Sequence, residues 1–566
     1  MKWKLRAISK NLENEFIRQG KSRLLSRLLS QRNISAVSVD KFLSASYKDI
    51  CHPYVLKGIK EASELFCQIA LEKGSILAVG DYDVDGICSV VIVNEICRTF
   101  NLKRKIFLPS RKEHGYGLNF RSIDVIKKTF NPPNLLFVLD SGSNSENEIR
   151  DLKRWGGEGM KIIILDHHIV DSNKIAKSAD VHINWHLQND FGETCTCGEL
   201  FHLIRGIRWL TKKINPQEFI SLAAIGILAD VSPIIGDNRI IVKNGLNNGC
   251  LNNVVASGLN SLIRTSGIRD SSLSQEDVLF KIAPRINAVG RLSKPDMAYK
   301  LLIEQNPEIS DIMAQDLNEH NIERKKLQRK FETEAIQEVE TNIDKFPNAI
   351  AIYNPEWPIG LVGLIASGLV EKFCRPAIVM SKNGEIIKGS GRSLENVNLK
   401  EILDGCKNVF ENYGGHALAA GVTVKSHALN DVNDALNKAC ESYYITHGRP
   451  EEIKYYDAEL RPKAITLENA EKLKNSLYPY CNRNNPEPIF KLSDVTIVEP
   501  DLYERNDWKI LSFYVSKDGV KTGVKFKMFS DDLGTEIADR KADVYFSFPQ
   551  SFIYPAINVL ELIFKK

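Results

Sequence analysis

The chain changes its hydrophobic pattern several times along its length. From residue 75, short continuous apolar runs alternate with segments of helical period; the runs are ILAVG (76–80), KIFLP (105–109), LLFVLD (135–140), KIIILD (161–166) and VHIN (181–184). Continuous rather than alternating apolar runs are typical of strands buried on both faces of a parallel sheet. The pattern therefore predicts an open α/β domain whose chemistry lies at the carboxyl ends of its strands.

The remaining patterns predict further units around this domain. A helical, partly basic segment comes first, and a helix-rich stretch follows the strands. A long charged helix without Gly or Pro then leads to a second, smaller α/β pattern, and alternating strands at the end predict a small barrel, for which an OB-fold is one candidate. We predict a helical cap over 1–70, an α/β catalytic domain over 71–309, a connecting helix over 310–345, a second α/β domain over 346–450 and a nucleic-acid-binding barrel over 451–566.

Two basic segments each leave two interpretations open. For the first 70 residues, we favour the interpretation as a cap on the next domain over the interpretation as a nucleic-acid contact. The run Arg324, Lys325, Lys326, Arg329 and Lys330 in the connecting helix is an ordinary solvated face, or it lines a nucleic-acid path if it faces a cleft.

Composition narrows the class of protein. The chain has 566 residues, 75 basic and 71 acidic, so its net charge is +4, with 43% hydrophobic and 26% charged residues. These values exclude a disordered chain, a collagen, a coiled-coil rod and a polycationic nucleoid coat, but they permit a local basic groove. No uncharged apolar stretch reaches the roughly 18 residues of a membrane helix, and the N-terminus lacks the pattern of a secretory signal.

The eleven cysteines follow no regular spacing. Such cysteines are typical of buried small hydrophobic residues in a reducing cytoplasm, which is the location that we expect. The close pair Cys195 and Cys197 has the wrong spacing for a zinc knuckle, so we expect a structural or incidental role for it.

Three carboxylates follow the first predicted strand of the α/β domain. In GDYDVDG, Asp81, Asp83 and Asp85 come directly after ILAVG, and Gly86 permits a tight turn into the next helix. Alternate residues of extended backbone point the same way, so like charges crowd together. Such crowding is tolerated where cations neutralise it.

Two later strands end in the same way. LLFVLD ends in Asp140, and KIIILD ends in Asp166, followed by His167 and His168; a further carboxylate, Asp230, closes the apolar helical stretch SLAAIGILAD. Carboxylates with one or two imidazoles suit Mg²⁺ or Mn²⁺ better than structural zinc. Two such ions can clamp a phosphate and generate a hydroxide, so the pattern predicts metal-assisted phosphoester hydrolysis.

Longer motifs resemble one family closely. DYDVDG with Asp-His-His at 166–168 resembles the DHH phosphoesterase superfamily. PRINAVGRL (284–292), LNEHNIERKKLQ (317–328), GSGRS (389–393) and YGGHALAAG (413–421) are similar to motifs of the RecJ-type exonucleases and their DHHA1 domain. The resemblance covers about residues 20–566. It implies degradation of single-stranded DNA from the 5′ end to mononucleotides with Mn²⁺ or Mg²⁺, in recombination and repair; a single-strand-binding protein and a helicase are candidate partners.

The resemblance also implies roles for individual residues. It places the two metals on Asp83, Asp85, Asp140, His167 and Asp230, with Asp81 in or beside this set. Asp166 would orient imidazole, and His168 would contact phosphate or assist the leaving oxygen. The substrate-binding candidates are Arg285, Asn287, Arg291, Ser390, Gly391, Arg392, Ser393, Gly415 and His416.

The chain departs from the family pattern at two places. Trp357-Pro358 stands where the family usually has Trp-His, and the loop 479–488 lacks the family's two glycines, which puts its geometry at the barrel entrance in doubt. For the barrel we expect DNA contacts among Tyr503, Trp508, Phe513, Tyr514, Lys521, Lys525 and Lys527, some of which must instead be core.

Two alternative functions remain open at this stage. One is a DHH phosphatase of oligoribonucleotides or nucleoside bisphosphates, against which the C-terminal barrel argues. The other is a replication scaffold that has lost its metals, against which the full set of expected ligands argues.

Overall fold

The N-terminal segment divides between two parts of the molecule. The computed structural model describes residues 2–110, 114–115, 117–188, 191–247, 255–268, 273–291, 294–450, 453–481, 484–505, 508–529, 534–548 and 556–565. Its first elements are β1 (Lys2–Leu5), α1 (Lys10–Arg18), α2 (Arg23–Gln31), α3 (Val39–Ser44) and α4 (Ile59–Leu71). Of these elements, α4 contributes Ile59, Ala62 and Phe66 to the core of the neighbouring α/β domain.

A five-stranded parallel sheet forms the centre of the α/β domain, in the order β3-β2-β4-β5-β6. This confirms the sheet predicted from the continuous apolar runs, and β4 is buried along its whole length. The domain comprises β2 (Ser75–Val79), α5 (Val84–Thr99), β3 (Lys103–Phe107), α6 (Phe120–Thr129), β4 (Leu135–Leu139), α7 (Glu146–Gly156), β5 (Lys161–Leu165), β6 (Val181–Ile183), α8 (Thr196–Thr211), α9 (Ile220–Ala229), α10 (Gly236–Gly245), α11 (Ala256–Thr265), α12 (Gln275–Asp277), α13 (Ala283–Arg291) and α14 (Asp296–Ile303).

One 35-residue helix, α15 (Pro307–Thr341), leads to the second α/β domain. Ala314 and Leu317 join the core of the first domain, whereas Phe331, Ala335 and Val339 join the core of the second. The second domain has a mixed sheet in the order β10-β11-β9-β8-β7, in which only β7 and β8 are parallel. Its elements are β7 (Ile350–Tyr353), α16 (Val362–Phe373), β8 (Ala377–Asn383), β9 (Ile386–Arg392), α17 (Leu399–Gly405), β10 (Phe410–Gly415), β11 (Ala419–Val424) and α18 (Val432–His447).

The C-terminal strands close into a five-stranded barrel. Its elements, with the flanking ones, are β12 (Ile453–Tyr456), β13 (Ala458–Glu459), α19 (Leu467–Leu477), β14 (Ile489–Arg505), β15 (Trp508–Lys517), β16 (Val520–Lys521), β17 (Lys525–Phe529), β18 (Lys541–Ser547) and β19 (Ala556–Phe564). The order β14-β18-β19-β17-β15 returns to β14 through the β14–β15 pairing. The predicted barrel is therefore confirmed.

Residues 2–44 pack mainly on this barrel, and α3 also contacts α10 of the domain that follows them in sequence. β1 pairs in parallel with β12, and Phe16, Leu28 and Leu29 are fully buried in one core with the barrel strands. The cap on the next domain stays a prediction, while the buried apolar side chains of this segment pack with the barrel. Its apolar helix faces predict that it covers a surface, but they carry no information about which surface.

The loop 479–488 lies at the contact between the barrel unit and the first α/β domain. Arg239 of α10 is 1% exposed, and its guanidinium reaches the backbone at the end of α19. Asn485 accepts from Arg32 Nε over 2.7 Å and donates to Leu477 O and Pro479 O. The described part of this loop therefore serves an interface between domains; residues 482–483 lie outside the described ranges.

Within the described ranges, no helix combines the length and the apolar character that a membrane span requires.

Candidate metal centre and nucleic-acid cleft

The first acidic motif is shaped by the start of α5. Asp83 is the N-cap of this helix, and its Oδ1 accepts from the Gly86 N–H over 3.0 Å. Gly86 packs against the backbone of Asp81, where an added Cβ would lie 2.5 Å from the Asp81 carbonyl oxygen. Asp81 and Asp85 are both 2% exposed. The glycine therefore lets the helix approach closely enough to bury two carboxylates together.

Asp140 lies at the centre of the cluster. It follows β4 in the left-handed backbone region, with φ +58°, and its N–H donates to Leu165 O over 2.9 Å. A non-glycine residue with positive φ is strained, and such strain concentrates at functional sites. Burial, followed by the charges of Asp83, Asp85 and Asp81, raises the pKa of Asp140 well above its ordinary value. So many buried negative charges require a cation to compensate them.

The carboxylates form two adjacent groups that share Asp140. Ligand atoms of Asp81, Asp83 and Asp140 lie within 4.8 Å of one another. On the other side, His167 Nε2 lies 3.1 Å from Asp140 Oδ1, 3.6 Å from Asp230 Oδ1 and 3.9 Å from Asp85 Oδ2. This oxygen-rich donor set with one imidazole suits Mg²⁺ or Mn²⁺, and Asp140 could contribute to both groups.

Backbone groups that the sequence does not predict hold Asp85 in place. Its carboxylate accepts the N–H groups of Thr196 and Cys197, each over 2.9 Å, at the N-terminus of α8, and Cys195 Sγ lies 3.0 Å from Oδ1. A helix N-terminus stabilises a carboxylate in its charged form. The cysteine pair, which we expected to be structural or incidental, therefore flanks the backbone that orients a candidate metal ligand.

Asp166 and His168 form a pair beside the metal groups. Asp166 Oδ1 is 2.7 Å from His168 Nδ1, and Oδ2 accepts from the Ser143 N–H over 2.8 Å. Burial raises the pKa of Asp166, but the hydrogen bond and the charge of His168 outweigh it and hold that pKa far below its ordinary value. Burial alone would lower the pKa of His168. The hydrogen bond to Asp166 and the charge of Asp166 outweigh burial and raise that pKa to about 9. Asp166 therefore favours the protonated form of His168.

A cavity of about 660 Å³ separates this centre from the second α/β domain. Tyr82 and His168 lie on one wall, and Ser390, Arg392, Gly415 and His416 lie on the other. Arg392 Nη1 donates to Ser390 Oγ over 2.8 Å and to Gly391 O over 2.7 Å, which fixes its guanidinium. An added Cβ at Gly363 would lie 2.9 Å from Arg392 Nη2, so the glycine of α16 makes room for this side chain.

The other substrate candidates, Arg285, Asn287, Arg291 and Ser393, are not among the residues that line this cavity. Arg291 Nη1 donates to Gly360 O over 3.0 Å and so connects α13 to the second domain, while Arg285 Nε donates to Asn318 Oδ1 of α15 over 3.1 Å. Asn287 is half-buried on α13, and Ser393 Oγ donates to Val397 O over 2.8 Å.

The structure divides the barrel candidates into core and surface. Phe513 is fully buried, so it is core. Tyr503 is exposed, and the ammonium of Lys521 lies 4.2 Å and that of Lys525 5.7 Å from the ring centre of Tyr514. Lys527 is half-buried, and the side chain of Trp508 lies outside the described part.

Trp357-Pro358 stands where the family pattern has Trp-His. Trp357 is 2% exposed, and its Nε1 donates to Glu334 Oε2 of α15 over 3.1 Å. The tryptophan therefore fixes the second domain on the connecting helix.

Fold and site together define a metal-dependent phosphoesterase of the DHH type. The model of the DHH family, N-terminal domain, matches residues 75–227, and the model of the DHHA1 domain matches residues 347–442. The chain is 32% identical over 470 residues to the single-stranded-DNA-specific exonuclease RecJ of Bacillus subtilis, an alignment that covers 82% of this chain and 58% of that protein. It is 28% identical over 490 residues to the RecJ of Dickeya dadantii, covering 82% of this chain and 83% of that protein.

A solved structure has the same fold. RecJ of Thermus thermophilus in complex with Mn²⁺ superposes with a TM-score of 0.80 at 22% identity, covering all of this chain and 80% of that one. The chain thus contains DHH and DHHA1 domains and is similar to RecJ-type exonucleases over 82% of its length.

Proposed function

We propose that the protein is a single-stranded-DNA-specific 5′→3′ exonuclease that hydrolyses phosphodiester bonds with two Mn²⁺ or Mg²⁺ ions and releases 5′-mononucleotides. One observation carries the proposal: the carboxylate groups that share Asp140 lie beside His168, and His168 lines a cavity whose opposite wall presents Arg392 and His416. The names of the relatives support the substrate class.

Each wall of the cavity has a distinct role in the proposed reaction. The metals, when bound, supply Lewis acidity and a hydroxide nucleophile. Asp81, Asp83 and Asp140 would hold one ion, and Asp85, Asp140, His167 and Asp230 the other. His168, kept protonated by Asp166, donates a hydrogen bond or a proton to an oxygen of the scissile phosphate. Arg392, fixed by Ser390, holds a terminal phosphate through charge-assisted hydrogen bonds.

Basic side chains of the connecting helix α15 support a nucleic-acid path. Lys325 and Arg329 of α15 are exposed, and the charges of Arg324, Arg285 and Arg329 contribute, after burial, to lowering the pKa of Lys325. Positive groups that repel one another on one face are suited to a polyanion. We therefore favour the nucleic-acid path over the solvated face for this part of the helix.

We also keep the predicted division into five units, with the cytoplasm as location and a single-strand-binding protein and a helicase as partners.

A nuclease assay tests the proposal directly. A long 5′-labelled single strand should release labelled mononucleotide with Mn²⁺, but neither after EDTA treatment nor from a blunt duplex. A dinucleotide cleaved far faster than the long strand would favour the small-substrate phosphatase. Absence of hydrolysis with every divalent metal would favour the scaffold.

A further inference from the structure

Three side chains with different ligand atoms meet at a second place in the first α/β domain. Cys51 precedes α4, His202 lies on α8, and Asp237 lies in the first turn of α10. One ligand atom from each lies within 4.8 Å of the others. None of the three belongs to the catalytic cluster, and the proposed reaction uses none of them.

His202 supplies a buried polar atom that lacks a hydrogen bond. The residue is 1% exposed, and among the described residues no atom makes a hydrogen bond to its Nε2. Burial lowers the pKa of His202 to about 4, so the ring is neutral at pH 7. A buried polar atom without a partner costs about 1–3 kcal/mol and calls for an explanation. Coordination of a cation by this nitrogen would provide one.

Cys51 and Asp237 complete the ligand set. The Cys51 N–H lies 3.1 and 3.3 Å from the two carboxylate oxygens of Asp237, which fixes this carboxylate beside the thiol. Burial, followed by the hydrogen bond to Asp237, raises the pKa of the Cys51 thiol to about 12. Cys51 is only partly buried, so solvent can supply a further ligand.

The separation between two of the ligand atoms fits a small tetrahedral ion. His202 Nε2 lies 3.5 Å from Asp237 Oδ2. Zinc bonds of about 2.0–2.1 Å to nitrogen and oxygen place two tetrahedral ligands roughly 3.4 Å apart. This pair of atoms therefore needs almost no movement to share an ion.

Two cations adjoin the cluster and would compete with an ion. Lys41 Nζ lies 3.6 Å from Asp237 Oδ1, but its side chain is 42% exposed and can turn into solvent. Arg205 Nη1 contacts His202 Nδ1 over 3.4 Å, whereas its bond to Cys51 O is much shorter, at 2.6 Å. Ion binding would require Lys41 to move away from Asp237. It would also require Arg205 to give up its contact with His202 and keep only its carbonyl partners.

We propose that Cys51, His202 and Asp237 form a Zn²⁺ site, distinct from the catalytic centre, with water as the fourth ligand. Thiolate and imidazole select zinc over Mg²⁺ and Mn²⁺, which prefer oxygen. Binding displaces the thiol proton into solvent and none from the neutral imidazole. The ion would join three chain segments, of which α10 also carries the interface residue Arg239.

Cobalt provides a probe that separates this site from the catalytic one. Metal-free protein titrated with Co²⁺ should develop the thiolate-to-cobalt absorption band of a cysteine-bound ion. Zn²⁺ should abolish this band, whereas a large excess of Mg²⁺ should leave it. Absence of the band in the unmodified protein would overturn the proposal without any variant.

Four variants test which residues bind the Co²⁺ ion that gives the absorption band. Cys51→Ser should remove it, and His202→Gln should weaken Co²⁺ binding at least about tenfold, as loss of a supporting ligand group does elsewhere. Cys67→Ser is the matched control, because Cys67 is also half-buried but lies outside the cluster. A band that persists in Cys51→Ser, or that disappears in Cys195→Ser, would assign the thiolate elsewhere and refute the site.

Discussion

Arg239 should hold the barrel unit on the catalytic domain. All five of its N–H donors are used: Nε reaches Phe42 O at 2.8 Å, Nη1 reaches Leu477 O at 2.9 Å and Pro479 O at 3.1 Å, and Nη2 reaches Ser476 O and Tyr478 O, both at 3.0 Å. Burial lowers the pKa of Arg239 to about 10, so the guanidinium stays charged at pH 7.

These five hydrogen bonds determine how much Arg239 stabilises the contact between the barrel unit and the catalytic domain. Each hydrogen bond to a charged group contributes about 1.5–3 kcal/mol, but burial of the cation offsets much of their sum. In Arg239→Met the five carbonyls lose their donor while the apolar volume is kept. Each buried carbonyl left without a donor costs about 1–3 kcal/mol, so the loss is a large part of the roughly 5–15 kcal/mol that stabilises a domain.

Calorimetry and hydrogen exchange together test this expectation. Arg239→Met should separate the unfolding of the barrel unit from that of the α/β domain, with faster amide exchange in α19 and in α3. Arg239→Lys keeps the charge but offers only three donors, so its loss should be intermediate.

Arg264→Met is the matched control. Its side chain is 57% exposed and pairs with Asp311 at the surface, so the change should stay within about 0.5 kcal/mol. If Arg239→Met and Arg264→Met unfold alike, Arg239 does not hold the interface and the reasoning is refuted.

Three further predictions concern the site and the barrel. Asp140→Asn should abolish Mn²⁺-dependent hydrolysis while single-strand binding stays measurable by fluorescence anisotropy; near-normal turnover would contradict the shared-ligand assignment. Arg392→Ala should reduce the ratio of rates on 5′-phosphate and 5′-hydroxyl strands, and an unchanged ratio would exclude a terminal-phosphate contact. Burial raises the pKa of Asp543, but hydrogen bonds from Lys491 and Asp494 outweigh it and lower that pKa. The stability that Asp543 contributes is present above its unfolded pKa of about 3.9 and is lost as pH falls through the lower folded value. The melting temperatures of the protein and of Asp543→Asn should therefore converge in acid; a constant difference would contradict this linkage.

Local patterns predicted the parts of the site that lie at strand ends. Asp81, Asp140 and His167 follow apolar runs, and parallel strands bring such positions to one edge of the sheet. The support of Asp85 could not be predicted in the same way, because Thr196 and Cys197 act through their backbone N–H groups, more than a hundred residues further along the chain. A backbone donor leaves no trace in side-chain chemistry.

The placement of the first 44 residues could not be predicted for a different reason. Amphipathic helices show that an apolar face is buried, but they do not identify its partner. Here the partner is a barrel whose strands begin more than 400 residues later, and β1 adds a parallel pairing with β12 that no local period encodes. The barrel aromatics raise the same difficulty, since Phe513 and Tyr514 are neighbours in sequence but only Phe513 is fully buried.

Helix ends stabilise the buried charges on both sides of the catalytic domain. The N-terminus of α8 supports the negative charge of Asp85, and the C-terminal carbonyls of α19 support the positive charge of Arg239. In both places the charged side chain is held by backbone dipoles at a helix end. The use of backbone dipoles matters most for Asp85. A lysine or arginine beside it would neutralise the carboxylate. Backbone dipoles instead orient the carboxylate and leave its charge available to a metal. The modest net charge of +4 is therefore compatible with strongly charged local sites: a carboxylate centre oriented by backbone groups, and cations placed where they hold domains or face the substrate path.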